Sequence, residues 1–170
     1  MTARRTKRST YTSYLALAVV MLVLTAGSAR GYANPNTTTA TIHGTGISRL
    51  PEDTRKLTIN AQNEGAPTSA SGFVQFIHNS PIGVSRFRGT VNCLTIGESG
   101  LVQVSGTVLD GVTAAGVVLD GKDYAFTIRA GTSPQTFSLP RFGDPGTLTP
   151  CGGGRPEMVT VTQAGFQITD

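Results

Sequence analysis

The chain has 170 residues, 14 of them basic and 10 acidic, with two cysteines, 21 glycines and no tryptophan. That length suits one domain once any targeting segment is set aside. Five basic residues (Arg4, Arg5, Lys7, Arg8, Arg30) and no acidic ones precede Asn34, which leaves 9 against 10 and a formal charge of −1 beyond it. The basicity therefore belongs to the amino terminus, and the remainder has no electrostatic case for nucleic acid or an anionic membrane as partner.

The amino terminus reads as a secretory signal peptide. Arg4, Arg5, Lys7 and Arg8 make a positive start, residues 15–26 are an uncharged apolar run, and small residues follow at Gly27, Ser28 and Ala29. A membrane span would need about 20 apolar residues, more than this run supplies. Residues 1–33 are thus expected to form an export helix cleaved after Ala33, with Ala29 the second choice. Localisation would be secreted or extracellular, with no membrane attachment after cleavage. Residues 34–40 are polar and read as a flexible start, and 41–170 form the domain.

From there Thr, Val, Gly and Ser dominate, and apolar residues recur every second position. That period is what a half-buried strand demands. Strands are predicted over 41–47, 55–62, 72–78, 84–96, 101–109, 122–130, 136–139, 158–162 and 164–169, with a short one conceivable at 116–119. In the fourth, Phe87, Gly89, Val91 and Cys93 share a face, and the opposite set turns apolar at Leu94 and Ile96, which indicates a bulge or a strand passing from one environment to another. Glu98-Ser99-Gly100 makes a tight hairpin connection to the next strand. The fold class is all-β, an antiparallel β-sandwich or closed β-barrel of about 8 strands.

Cys93 and Cys151 are the only cysteines beyond the leader and lie 58 positions apart. In an exported chain they are expected to form a disulfide. Closing that loop stabilises by roughly 4 kcal/mol on the chain-entropy model. The Gly152-Gly153-Gly154 run beside Cys151 reads as a flexible loop.

Chemistry-bearing constellations are sparse. His43 and His78 sit in predicted strands, and two histidines fall short of the three or four ligands of a zinc site. No Gly-x-Ser-x-Gly elbow occurs, and Ser105 lies within a strand, so no catalytic residue is expected. Asp110, Asp120, Asp123 and Asp144 border glycine turns and read as turn formers. Asp120 and Asp123 are the one weak calcium candidate, without EF-hand spacing. No cofactor is expected.

The order of motifs is similar to a family of small exported actinobacterial domains, post-COAP-1. The resemblance rests on Gly44-Thr45-Gly46-Ile47, Leu57-Thr58-Ile59-Asn60-Ala61, Gly72-Phe73-Val74-Gln75-Phe76, the segment Phe87-Arg88-Gly89-Thr90-Val91-Asn92-Cys93-Leu94, and Ala164-Gly165-Phe166-Gln167-Ile168. It implies export and a β fold without implying an activity. The family's acidic turn after the Tyr-Phe strand is replaced here by Arg129-Ala130-Gly131-Thr132-Ser133-Pro134.

Three functional readings follow. The first is a secreted non-catalytic module that binds a cell-surface or extracellular protein or a small ligand, or plays a structural part. The second is a barrel holding a small apolar ligand, lined by Phe76, Phe87, Tyr124, Phe126 and Phe166, which would otherwise fill the core. The third is a secreted hydrolase.

Overall fold

The computed structural model describes residues 39–97 and 99–169. The expected signal peptide and residues 34–38 lie outside them. Every regular element among the described residues is a strand: β1 (Thr39–Leu50), β2 (Asp53–Glu64), β3 (Ala70–Ser80), β4 (Gly83–Ile96), β5 (Leu101–Val112), β6 (Asp123–Arg129), β7 (Thr136–Ser138), β8 (Arg141–Gly143), β9 (Met158–Thr160) and β10 (Gln163–Thr169). The first strand starts two residues earlier than the spacing predicts, so Thr39 and Ala40 belong to the sheet.

All strands join one antiparallel sheet in the order β10-β1-β2-β3-β4-β5-β6-β7-β9, with β8 also paired to β6. The expectation of about 8 strands in a sandwich or closed barrel is corrected to ten strands in one sheet, curled into a half-barrel. Alternation assigns each side chain to a face but leaves strand neighbours open, which is why two architectures fitted the same text.

The two ends of the sheet approach each other without a strand ladder. Gln135 fills the seam with its side-chain amide: Nε2 donates to the Phe166 carbonyl at 2.9 Å, and Oε1 accepts the Phe166 N–H at 2.8 Å. One amide thereby satisfies both backbone groups that an adjacent strand would satisfy. Nearby, Thr162 N–H donates to the Ile47 carbonyl at 2.7 Å, and the Phe137 and Phe166 rings meet edge-on, with centroids 6.3 Å apart.

The concave face carries the core. Period-two burial gives Leu57, Ile59 and Ala61 from β2, Val74 and Phe76 from β3, and Tyr124, Phe126 and Ile128 from β6. The rings form a continuous series, with centroids 5.9 Å apart for Phe76–Phe87, 5.1 Å for Phe87–Tyr124 and 5.8 Å for Tyr124–Phe126. Tyr124, Phe126 and Phe166 are buried in this core, with Tyr124 and Phe166 each also bordering a recess, and Phe76 and Phe87 reach a cleft at one end.

The expected bulge is present, and its position changes one assignment. Val91 pairs with Gly106 but Cys93 with Ser105, so Asn92 is the extra residue. The added residue moves Cys93 to the convex face beside Ser105 and returns Leu94 to the core with Val104. Cys93 was expected to share the face of Val91. Past the bulge β4 parts from β3, and Leu94 is instead held by the β2–β3 connection: its N–H donates to the Pro67 carbonyl, and its carbonyl accepts from Asn63 Nδ2.

Cys93 and Cys151 form the disulfide, with a Cα–Cα distance of 5.2 Å. The bond fastens residues 144–155 as a strap across the convex face of β5 and β6. Cys151 N–H donates to Ser105 Oγ at 3.0 Å, and Gly154 N–H to Thr127 Oγ1 at 3.2 Å. The glycine run is therefore no slack loop. A Cβ on Gly154 would stand 2.6 Å from Phe126 Cα, so glycine is what lets the strap lie flat on the sheet.

Candidate functional site

The concave face changes character at one end of the half-barrel. β2 begins there, β3 ends, β4 begins and β5 ends, so antiparallel topology gathers their termini at one mouth. Running the β2 alternation back from Leu57 places Arg55 and Asp53 on the concave face, across from His78 in β3. Ser85 in β4 lies directly opposite His78.

These polar groups form a connected cluster. His78 Nε2 lies 3.0 Å from Asp53 Oδ2, and Arg55 donates to the same oxygen at 2.8 Å. An Nε2–H given to Asp53 cannot also accept, so the 3.5 Å approach of Arg55 Nε to Nε2 is a contact and not a bond. Burial by itself would raise the Asp53 pKa. The hydrogen bonds and charges of His78 and Arg55 outweigh it and hold the carboxyl below the usual range. Asp53 Oδ1 is buried and has no hydrogen-bond partner among the described residues.

A lowered carboxylate pKa contributes stability that is complete above the unfolded-state value, near 3.9, and is lost as pH falls below it. The urea midpoint of the wild-type protein should therefore drop as pH falls below about 4. Asp53→Asn should lower the midpoint at neutral pH and flatten this acid limb. An unchanged acid limb would show that the cluster does not couple to folding.

Beside this cluster lies a cleft of about 280 Å³. Phe76, Phe87, Leu119, Leu139 and Phe142 give it an apolar floor and wall, and the Phe87 and Phe142 rings meet edge-on at 5.2 Å. His78, Ser85, Thr113 and Arg155 supply its polar border, and Arg86 lies alongside with its side chain alternating to the convex face. The volume is near the lower end of that of small-molecule sites. Around the same mouth, turns and loop tips expose Leu50, Ile82, Val117 and Val118. A second recess of about 200 Å³ lies beside the disulfide, between strap and sheet, and has no comparable aromatic floor.

The other sequence candidates separate. His43 faces outward and meets Gln167 Oε1 at 3.0 Å, so the two histidines do not share a site. Asp120 Oδ1 accepts the Gly111 N–H at 2.8 Å, and Asp123 Oδ2 the Gly146 N–H at 2.6 Å. The two carboxylates serve different turns, and among the described residues no cluster of three metal-ligating side chains occurs. Ser105 is engaged with the strap.

Asp53, Arg55, Ser85, Phe142 and Arg155 were not singled out from the sequence. Asp53 and Arg55 carried a signal, since they continue the inward period of Leu57 and Ile59. Phe142 carried none, because β8 is only three residues long.

No protein-family model, curated protein or solved structure matches this chain. No helix among the described residues is long and apolar enough to cross a membrane.

Proposed function

We propose that the chain is an exported, non-catalytic binding module whose site is the mouth cleft. The observation that carries this reading is a recess with an aromatic floor and a polar border, set at the open end of a sheet whose interior is otherwise filled. The leader pattern, the disulfide and the resemblance in motif order to post-COAP-1 domains support export.

A hydrolase has one observation in its favour, the His78–Asp53 pair opposite Ser85. The rest of the arrangement favours binding. Ser85 Oγ accepts the Ala114 N–H at 2.8 Å, and no serine hydroxyl among the described residues is hydrogen-bonded to either histidine. Ser85 also sits in an extended strand, where no paired N–H groups are presented to an oxyanion.

Native mass spectrometry of the protein recovered from culture medium tests the reading. The expected mass is that of a chain beginning at Asn34 or Arg30, two hydrogens lighter than the dithiol, and a fluorophosphonate probe should leave Ser85 unlabelled. Retention of the leader with the protein inside the cell would overturn export. Labelling of Ser85 that is lost in His78→Ala would replace the binding module with a hydrolase.

A further inference from the structure

The chemistry of the cleft border narrows what could occupy it. We infer that the mouth cleft takes a small carboxylate with an aromatic or branched aliphatic body; this rests on the cleft being the binding site. The cation whose side chain can reach its border, Arg155, forms no ion pair with a carboxylate among the described residues, whereas Arg86, opposite Ile77 and alternating with Ser85 and Phe87, turns its side chain to the convex face. No aspartate or glutamate lines it. The nearest acid, Asp53, is already compensated by Arg55 and His78 on one oxygen.

Hydrogen-bonding capacity points the same way. Ser85 Oγ uses acceptor capacity on Ala114 N–H and keeps its own proton to donate. The Arg155 guanidinium and this hydroxyl make the border one of donors. A cationic ligand would be repelled, and a plain hydrocarbon would leave those donors without partners. A carboxylate accepts from several donors at once and is the group guanidinium geometry suits. The floor of Phe76, Phe87 and Phe142 offers ring faces and edges to an apolar body. The volume of about 280 Å³ accommodates a ring with a short chain, and excludes a long acyl tail.

The test uses the oxidised, secreted protein with ¹⁵N labelling and three probes: 3-phenylpropionate, its uncharged amide, and acetate. Titration should shift the amide resonances of His78, Ser85, Thr113 and Phe142. The acid should bind at least tenfold more tightly than either the amide or acetate. Arg155→Gln should reduce the acid-over-amide preference below threefold, and Arg86→Gln, on the convex face, should leave that preference unchanged. Both arginines are exposed, so the spectrum itself verifies that each variant stays folded. Equal affinity of acid and amide at these residues would overturn the charge preference and leave the site standing. No shift at the mouth with any probe would overturn the site and the inference together.

Discussion

Replacing Cys93 and Cys151 together with alanine should destabilise the protein by about 4 kcal/mol and lower its Tm by roughly 10–15 °C. The magnitude comes from the 58-residue separation the bond closes. An unbridged denatured chain regains the freedom to separate those ends, and the native state gains nothing to offset it. The location sharpens the expectation. Cys93 sits where the Asn92 bulge turns β4 outward, and the strap it anchors is otherwise tied by single polar contacts: Lys122 Nζ to Asp144, Gly146 N–H to Asp123, Cys151 N–H to Ser105, Gly154 N–H to Thr127 and Arg155 N–H to the Leu139 carbonyl. Without the bond, the strap should open ahead of global unfolding. Hydrogen exchange at Cys151 and Gly154 in the reduced wild-type protein should then rise well before exchange in β2 and β3. A Tm shift below about 3 °C would show that the strap is held by its packing, and that the bridge closes a loop the denatured chain already closes.

How far the sequence reaches is visible at the same place. The phase change from Val91 to Leu94 announced a bulge, and one is there. Periodicity locates such a defect only to within a residue or two, however, and moving it past Asn92 reverses the face of Cys93. The strands with strict alternation, β2 and β6, were legible because each buried one side and wetted the other. β8 was not, since three residues between Pro140 and the Gly143-Asp144-Pro145-Gly146 turn offer no period to read. The mouth cleft lost its Phe142 wall for that reason. Asp53 was missed for another: the predicted strand began at Arg55, short of a residue whose spacing continued the buried series, and Arg55, inside that strand, was not assigned to the inward face. Polar residues in register with a core face are the signal for a lined mouth, and they look like a strand end when only hydrophobicity is followed.

Tyr124→Ala should cost about 4–5 kcal/mol, and Tyr124→Phe about 1 kcal/mol. The ring has no exposed surface and lies between Phe87 and Phe126, so truncation leaves a cavity that two aromatic neighbours cannot close. Its hydroxyl donates to the Thr90 carbonyl at 2.9 Å, and phenylalanine would leave that carbonyl with a poorer partner. The backbone beneath the ring is built for it. A Cβ on Gly89 would stand 2.6 Å from Tyr124 Cε1 and 2.7 Å from the Thr107 carbonyl oxygen. Alanine at Gly89 should consequently destabilise through backbone and ring together, since neither obstacle is the loose end of a flexible side chain. Burial also pushes the Tyr124 phenol well above its ordinary range. A group whose folded-state pKa is raised contributes stability that is complete below the unfolded value, near 10, and is lost as pH rises past it. Tyr124 is the one tyrosine beyond Ala33, and the chain has no tryptophan, so phenolate absorbance of a chain that begins at Asn34 reports this residue alone. The phenolate signal should stay absent past pH 10 and emerge only as the protein unfolds, with the two transitions superimposed. Ionisation near pH 10 in a protein that stays folded would mean that the ring is reached by water. The aromatic series from Phe76 to Phe126 would then not be the packed interior on which the rigid floor of the mouth cleft depends.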